Sequence, residues 1–292
     1  MPGLEIAPLE TAEAEPFWRV FLAGRTDVPT TDVRLHIDRY LALALEEQRS
    51  YFAFRESGRI VGTVRIAGSF LGTFSILPAE RRWTRDAILL GTTAILQGEA
   101  DRIVASFEDS YLEDFEKLGF VERFSRIRME ASLGKTDPPS VPMSHPEVTD
   151  VEDIVRFLMH VYEGHIEQQF GMHTGSDGEW RDYVTGIWKG DSGTYLPVAS
   201  WAARDSAGLS GVALVTHWMG SPLLSELGVR GDARRRGLGR ALVVQSMNAL
   251  VDLGYDRLGL YVTVGNNPAV NLYKALGFRQ VGGRSVNALR EL

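Results

Sequence analysis

The 292-residue sequence contains no cysteine, which removes disulfides, thiolate nucleophiles and thiolate metal sites together. It also has no long apolar run. The best candidate, Ile88 to Leu96, is interrupted by Gly91, Thr92 and Thr93, too short and too polar to cross a bilayer. The first ten residues are acidic, with no basic stretch followed by an apolar one, so the expectation is a cytoplasmic protein, neither exported nor membrane-spanning. Positive charge is in deficit as well. Lys and Arg number 31 against 38 Asp and Glu, a net charge of -7, which disfavours nonspecific attraction to nucleic-acid phosphates. A cluster at Arg234, Arg235, Arg236 and Arg240 therefore needs a local explanation.

What is present reads as an ordinary globular chain, long enough for two domains of about 100 to 150 residues each. Between Gly134 and Glu147 lie Pro138, Pro139, Pro142 and Pro146, a density of fixed backbone that reads as a linker. The expected division is a first domain over 1–137, a linker over 138–147 and a second domain over 148–292. Thr149 with Glu152 has capping-box spacing before an apolar-periodic helix. Each half then offers the same succession of elements. In the first, helices near 11–22 and 32–48 precede a hairpin over 51–66; in the second, helices near 149–162 and 178–188 precede strands near 198–203 and 212–215. Both halves end on matching phrases. Phe115 to Phe120 pairs with Tyr273 to Phe278 at an offset of 277 minus 119, or 158, and Asp101-Arg102-Ile103 pairs with Asp256-Arg257-Leu258 at 155. An internal duplication accounts for both offsets.

The stretch from Leu223 carries the chemistry. A strand ending at Val229 is followed by Arg234, Arg235, Arg236, Gly237, Leu238, Gly239 and Arg240, and then by a segment whose apolar residues recur at helical spacing. At such a turn successive backbone N–H groups point outward, the helix dipole adds positive potential, and two glycines leave the main chain open to close approach. That combination suits a pyrophosphate, with Arg234, Arg235 and Arg240 supplementing it. The dinucleotide fingerprint fails because Leu242 stands where its third glycine would be, and the P-loop fails for want of Gly-Lys-Ser/Thr. A surface turn with solvated arginines is the other reading of the same residues.

Arg234-x-x-Gly237-x-Gly239 after a Leu-x-Val strand end resembles the acyl-CoA loop of the GNAT superfamily of N-acyltransferases. A second signature follows about thirty residues on, Tyr261-Val262, Asn266-x-x-Ala269-x-x-Leu272-Tyr273 and Leu276-Gly277-Phe278. Here Asn267 and Pro268 suit the N-cap and first turn of a helix that Gly277 closes. The resemblance implies an α/β fold with a mixed sheet that splays after its fourth strand, in two tandem copies. It implies acetyl-CoA as co-substrate and no metal, with pantetheine lying along Leu227, Gly228 and Val229, Asn266 near the cofactor and Tyr273 near the thioester sulfur. Tyr273 is then the candidate acid, and backbone N–H near Val229 the oxyanion donor. Glu226, beside the expected thioester, is a candidate base acting through water; an acceptor-binding residue and a solvated strand charge are its other readings.

The first half lacks these parts. No glycine lies between Gly72 and Gly91, bulky residues Glu80 to Arg85 stand in the loop, and Phe115 replaces the tyrosine. The expectation is therefore a degenerate first copy and one active site, in the second. Gly190-Asp191-Ser192-Gly193 resembles a protease nucleophile phrase, but Thr194 breaks it. His160, His165 and His173 have no His-Glu-x-x-His spacing. The segment 165–180, with Glu167, Asp177 and Glu179, borders the acceptor site by resemblance, and its acidity favours a cationic acceptor. The function expected is acyl transfer to a primary amine of a small molecule, with neither nucleic acid nor membrane as partner; a non-catalytic acyl-CoA-binding regulatory module is the alternative.

Overall fold

The computed structural model describes residues 3–98, 100–137, 139–171 and 173–292. Pro138, named above at the head of the linker, lies outside the described residues. The chain divides into two compact units, Met1–Ile127 with Val281–Leu292, and Arg128–Gln280. This differs from a division at the prolines: the chain changes unit at 127, and its last twelve residues belong with the first unit.

In the first unit β1 (Leu4–Pro8), α1 (Ala14–Ala23), α2 (Val33–Leu41), α3 (Leu45–Gln48), β2 (Tyr51–Glu56), β3 (Arg59–Ala67), β4 (Phe70–Ile76), α4 (Thr84–Leu96), β5 (Arg102–Glu108) and α5 (Leu112–Glu116) follow in order. β6 (Val121–Ser132) then carries the chain out of this unit. The helix expected over 32–48 is two helices, and the Gln48 side chain donates to the Leu43 carbonyl in the break between them. The strands lie in the order β1-β2-β3-β4-β5, and β5 is flanked on its other side by the final strand of the chain. The core is aromatic: Phe54, Phe74, Phe107, Phe115 and Phe120 are buried in one cluster with Ile76 and Ile88.

The second unit runs through α6 (Val151–Tyr162), α7 (Asp177–Lys189), β7 (Thr194–Tyr195), β8 (Trp201–Asp205), β9 (Gly208–Trp218), β10 (Ser221–Val229), α8 (Leu238–Asp252), β11 (Arg257–Thr263) and α9 (Asn267–Ala275). The last strand, β12 (Arg279–Glu291), returns to the first unit and pairs antiparallel with β5, Ser285 opposite Glu108 through Glu291 opposite Arg102. Within the second unit the order is β11-β10-β9-β7, with β8 also on β9. β10 alternates buried and half-buried residues along its whole length, the period of a strand with one packed face. Ile154, Val155 and Leu158 of α6 pack with Trp180, Val184 and Ile187 of α7 against β9.

The capping box before α6 is two residues earlier than Thr149 and Glu152 suggest. Glu147 and Asp150 form it, while Glu152 pairs with Arg181 instead. No helix among the described residues is long and apolar enough to cross a membrane.

Candidate active site

β10 and β11 run parallel, with Leu223 opposite Gly259, and diverge beyond that point. The divergence opens a cleft of about 760 Å³. Strand alternation decides which residues face it. Arg230 N–H donates to Ser210 on β9, so the main-chain groups two residues back, at Gly228, face β9 as well, and those of Leu227 and Val229 face the cleft. Accordingly Leu227 and Val229 line the cleft and Gly228 does not. A Cβ on Gly228 would stand 2.8 Å from the Phe157 ring, so glycine there serves the packing of α6 on β10. Two cleft-facing groups are held by neighbouring side chains: Leu227 N–H donates to Glu226 Oε1 at 3.1 Å, and the Val229 carbonyl accepts from Arg234 Nε at 2.9 Å.

The loop after β10 makes one 3-10 turn, Gly231–Ala233, before α8. Arg235 and Gly237 both adopt left-handed backbone, φ 60 and 83. Gly237 is the N-cap of α8, and nothing lies within 4 Å of where its Cβ would be, so conformation rather than packing selects glycine here. The amides of Leu238, Gly239 and Arg240 belong to the first helical turn and have no preceding carbonyl to bond. Leu238 is buried and anchors that turn. Arg234 donates to the carbonyls of Val229 and Val161, pinning the loop to α6. Arg235 and Arg240 line the cleft with it, whereas Arg236 does not.

At the other end of the cleft lies Glu226, on β10 where its register with β9 shifts by one residue. It is 4% exposed, and its two carboxylate oxygens accept from Tyr162 at 3.0 Å and Tyr183 at 2.9 Å. Burial pushes the carboxyl pKa above the ordinary range, opposed by nearby His173 and the two tyrosine hydroxyls. It is thus no solvated strand charge. Tyr273, on α9, is buried, and desolvation, with Glu226 and Glu167 adding negative potential, pushes its hydroxyl well above the usual tyrosine pKa. Asn266 is the N-cap of α9, one position earlier than Asn267, its side chain accepting from Ala269 N–H at 3.3 Å. Its amide nitrogen lies 3.2 Å from His165 Nε2, so the side chain both caps the helix and lines the cleft.

Sequence reasoning missed the two tyrosines that hold Glu226 and the inward placement of Glu167. Glu167 is buried, accepts from Thr263, and lies 3.0 Å from His173 Nε2. Burial lowers the pKa of His165 beside it. Of the other acidic residues in this segment, Glu179 is committed to a capping box with Ser176, and Asp177 is exposed. Among the described residues no group of three or more His, Asp or Glu is arranged to hold a metal ion.

The geometry of the first unit differs at each of these places. β4 and β5 are again parallel, at Phe70–Val104 and Leu71–Ala105, but the Tyr111 hydroxyl accepts from Ile76 N–H at 2.8 Å and lies 3.1 Å from the Gly24 carbonyl. By the 158-residue offset Tyr111 corresponds to Ala269, which lines the cleft of the second unit. Phe115 is fully buried and stacks on Phe107 at 3.8 Å. In the loop after β4, Arg82 pairs with Glu56 and Glu80, and Arg81 lies over the Tyr111 ring.

Residues 170–278 match the family model described as Acetyltransferase (GNAT) family. Mycothiol acetyltransferase of Clavibacter sepedonicus is 32% identical over 163 residues, which are 54% of this chain and 49% of that protein. The N-alpha-acetyltransferase of Sulfurisphaera tokodaii is 27% identical over 153 residues, 52% of this chain and 86% of that one. The chain spans about half the length of the curated mycothiol acetyltransferase it matches. Among solved structures, a GCN5-related N-acetyltransferase from Sphaerobacter thermophilus superposes with a TM-score of 0.74 at 15% identity, over 99% of this chain and 95% of the other. A tandem GNAT protein from the clavulanic acid biosynthesis pathway gives 0.68 at 16%, over 99% and 98%. At those identities the likeness is one of fold, and it extends through both halves.

Proposed function

The chain belongs to the GNAT acetyltransferase family through its residues 170–278 and carries that fold in tandem, and on this premise we propose that its second unit transfers an acetyl group from acetyl-CoA to a primary amine of a small molecule, by direct attack in a ternary complex. The observation that carries the proposal is the cleft where β10 and β11 part, with a helix N-terminus on one side and a buried carboxylate and tyrosine on the other. The relatives named mycothiol acetyltransferase support a small-molecule acceptor.

Acetyl-CoA brings a thioester whose carbonyl carbon is the electrophile. The amides of Leu238, Gly239 and Arg240, with the Arg235 and Arg240 guanidiniums, suit its diphosphate, and the cleft-facing main chain of Leu227 and Val229 suits the pantetheine amides. Glu226 takes a proton from the acceptor's ammonium group, leaving the neutral amine that attacks; its raised pKa brings it nearer to that task. The nitrogen bonds to the acetyl carbon and the carbon–sulfur bond breaks. Tyr273, whose raised pKa keeps its proton in place until then, gives that proton to the departing thiolate. The second proton lost by nitrogen restores the tyrosine through water. Val229 N–H suits the oxyanion.

The first unit is a degenerate copy on this reading. Tyr111 occupies hydrogen-bonding groups of Ile76 at the end of β4, and Phe115 has no proton to give. Turnover measured as free thiol released from acetyl-CoA, across a panel of primary amines, tests the reading. Tight acetyl-CoA binding with no release for any amine would leave only a binding module.

A further inference from the structure

A carboxylate has about four places for a hydrogen bond, two on each oxygen, and three of those on Glu226 are taken. Oε1 accepts from the Tyr162 hydroxyl at 3.0 Å and from Leu227 N–H at 3.1 Å, and Oε2 accepts from the Tyr183 hydroxyl at 2.9 Å. The two oxygens have different neighbours. Tyr162 and Leu227 line the large cleft, whereas Tyr183 does not and lines instead a cavity of about 290 Å³ with Gly171, His173 and Trp180. On the cleft side, both places on Oε1 are therefore filled, and a proton arriving there meets the Tyr162 hydroxyl before the carboxylate. The Tyr162 ring is held by its neighbours, 4.1 Å from the His173 ring at 27°, 4.9 Å from His165 edge-on and 5.4 Å from Trp180. Burial, with Glu226, Tyr183 and Glu167 adding to it, pushes the Tyr162 hydroxyl well above the usual tyrosine pKa, so Tyr162 keeps a proton and is no base in its own right. The other titratable groups about the pair are Glu167 and His173, from the segment between α6 and α7, and Tyr273 from α9.

We propose that Tyr162 is a catalytic residue that relays the acceptor's proton to Glu226. This rests on the acetyl-transfer reading with Glu226 as its base, and it names the group through which that base reaches the amine. The ammonium N–H bond breaks as its proton passes to the Tyr162 oxygen. In the same step the Tyr162 O–H bond breaks as its own proton passes to Glu226 Oε1, and nitrogen keeps the electron pair with which it attacks. Tyr162 is neutral before and after, and the carboxylate alone takes up the charge change. Once the product has left, the reverse shuttle returns the proton to water in the cleft.

The test compares Tyr162→Phe with Tyr183→Phe in the full chain, since each removes one donor from Glu226 and only Tyr162 lines the cleft. The probes are benzylamine, a cation at neutral pH, and trifluoroethylamine, which is uncharged there and has no first proton to lose. Between the acid limb of the pH–rate profile and the pH at which benzylamine itself loses its charge, Tyr162→Phe should stay about 10²-fold or more below wild type in kcat/KM for that amine. Tyr183→Phe should move the acid limb upward, because Oε2 loses a donor that favours the ion, and should recover above it most of the rate lost at lower pH. With trifluoroethylamine, Tyr162→Phe should lie within about threefold of wild type, because the relay is not called on. A Tyr162→Phe variant that recovers above its acid limb as Tyr183→Phe does has lost only a support of the carboxylate, and one that slows both amines equally has lost something other than the path of the first proton. Either result overturns the relay. Should Tyr162→Phe fail to fold, the proton inventory of the wild type decides: with benzylamine the rate should curve with deuterium fraction, as two protons move together, and with trifluoroethylamine that curvature should vanish. The same shape for both amines overturns the relay. A wild type that releases thiol while the variants behave alike fails the relay alone; a wild type that releases none with any amine fails the transfer reading and takes the relay with it.

Discussion

On our reading Glu226 is the base, and that role asks two things of it that pull against each other. A base must be ionised, and burial disfavours the ion. Because its pKa is raised in the folded chain, its contribution to stability is full below the unfolded carboxylate pKa and is lost as pH rises through the folded value. On the same reading activity should run the opposite way, rising with pH over the same window as the base ionises. Glu226→Gln should therefore lower kcat by about 10²- to 10⁴-fold and erase the acid limb of the pH–rate profile. Its melting temperature at neutral pH should be no lower than the wild type's, as expected where a functional charge is held at a cost to stability. A variant with an intact acid limb would remove Glu226 as base. Tyr273→Phe separates acid from binder: kcat should fall by about 10²-fold or more, with the acetyl-CoA KM within about twofold of wild type. The ring packs against Phe278 at 5.6 Å, so the fold should tolerate the change. Turnover equal to wild type would take the proton donor elsewhere.

At the scale of elements, the β10–loop–α8 segment is where our reading puts the cofactor chemistry, and Gly237, the left-handed N-cap of α8, sets the geometry of its loop. Gly237→Ala meets no atom within 4 Å but must hold left-handed backbone, costing about 1–2 kcal/mol. The melting temperature should drop by a few degrees, about 2–4 °C per kcal/mol for a domain of this size. Acetyl-CoA affinity should weaken by about tenfold as the first-turn amides lose their alignment, an aspartate there losing more through added charge. Calorimetry and thermal melts check both, and an alanine variant with wild-type affinity would move the diphosphate site away from α8. This segment was legible in the sequence because its parts are local: glycines, an apolar period and a strand end within about thirty residues. Caps were legible to within a turn, Asn266 standing one position before Asn267 and Glu147 with Asp150 before Thr149 with Glu152. Polar residues cluster at helix starts, and which one caps depends on where the preceding backbone is already fixed. The tyrosines on Glu226 were not legible, since 64 and 43 residues separate them from it and only the packing of α6 and α7 onto β10 brings them together.

The whole molecule carries two copies of one fold and, on our reading, a single cofactor site. Titration with acetyl-CoA should give one equivalent per chain; two equivalent sites would contradict a degenerate first unit. Tyr111→Ala should cost roughly 3–5 kcal/mol, the usual penalty for emptying an aromatic core position, and leave the Ile76 amide without its partner. The duplication was legible from Leu118-Gly119-Phe120 and Leu276-Gly277-Phe278, but the return of the last strand was not, because β12 has the same apolar alternation whichever sheet edge receives it. Its register with β5 extends over seven residues, Ser285–Glu291 against Arg102–Glu108, and Val286 and Ala288 are buried in the core of the first unit. A chain ending at Gln280 should therefore lose protection in β5, whose partner strand β12 starts 275 residues after β1 starts (279 minus 4) yet contributes to the core of that unit. Hydrogen exchange should report β5 amides opening first, and a fragment of residues 1–137 should aggregate through the uncovered β5 edge. A fragment that stays monomeric and melts cooperatively would show that the first unit completes its own sheet without residues 281–292.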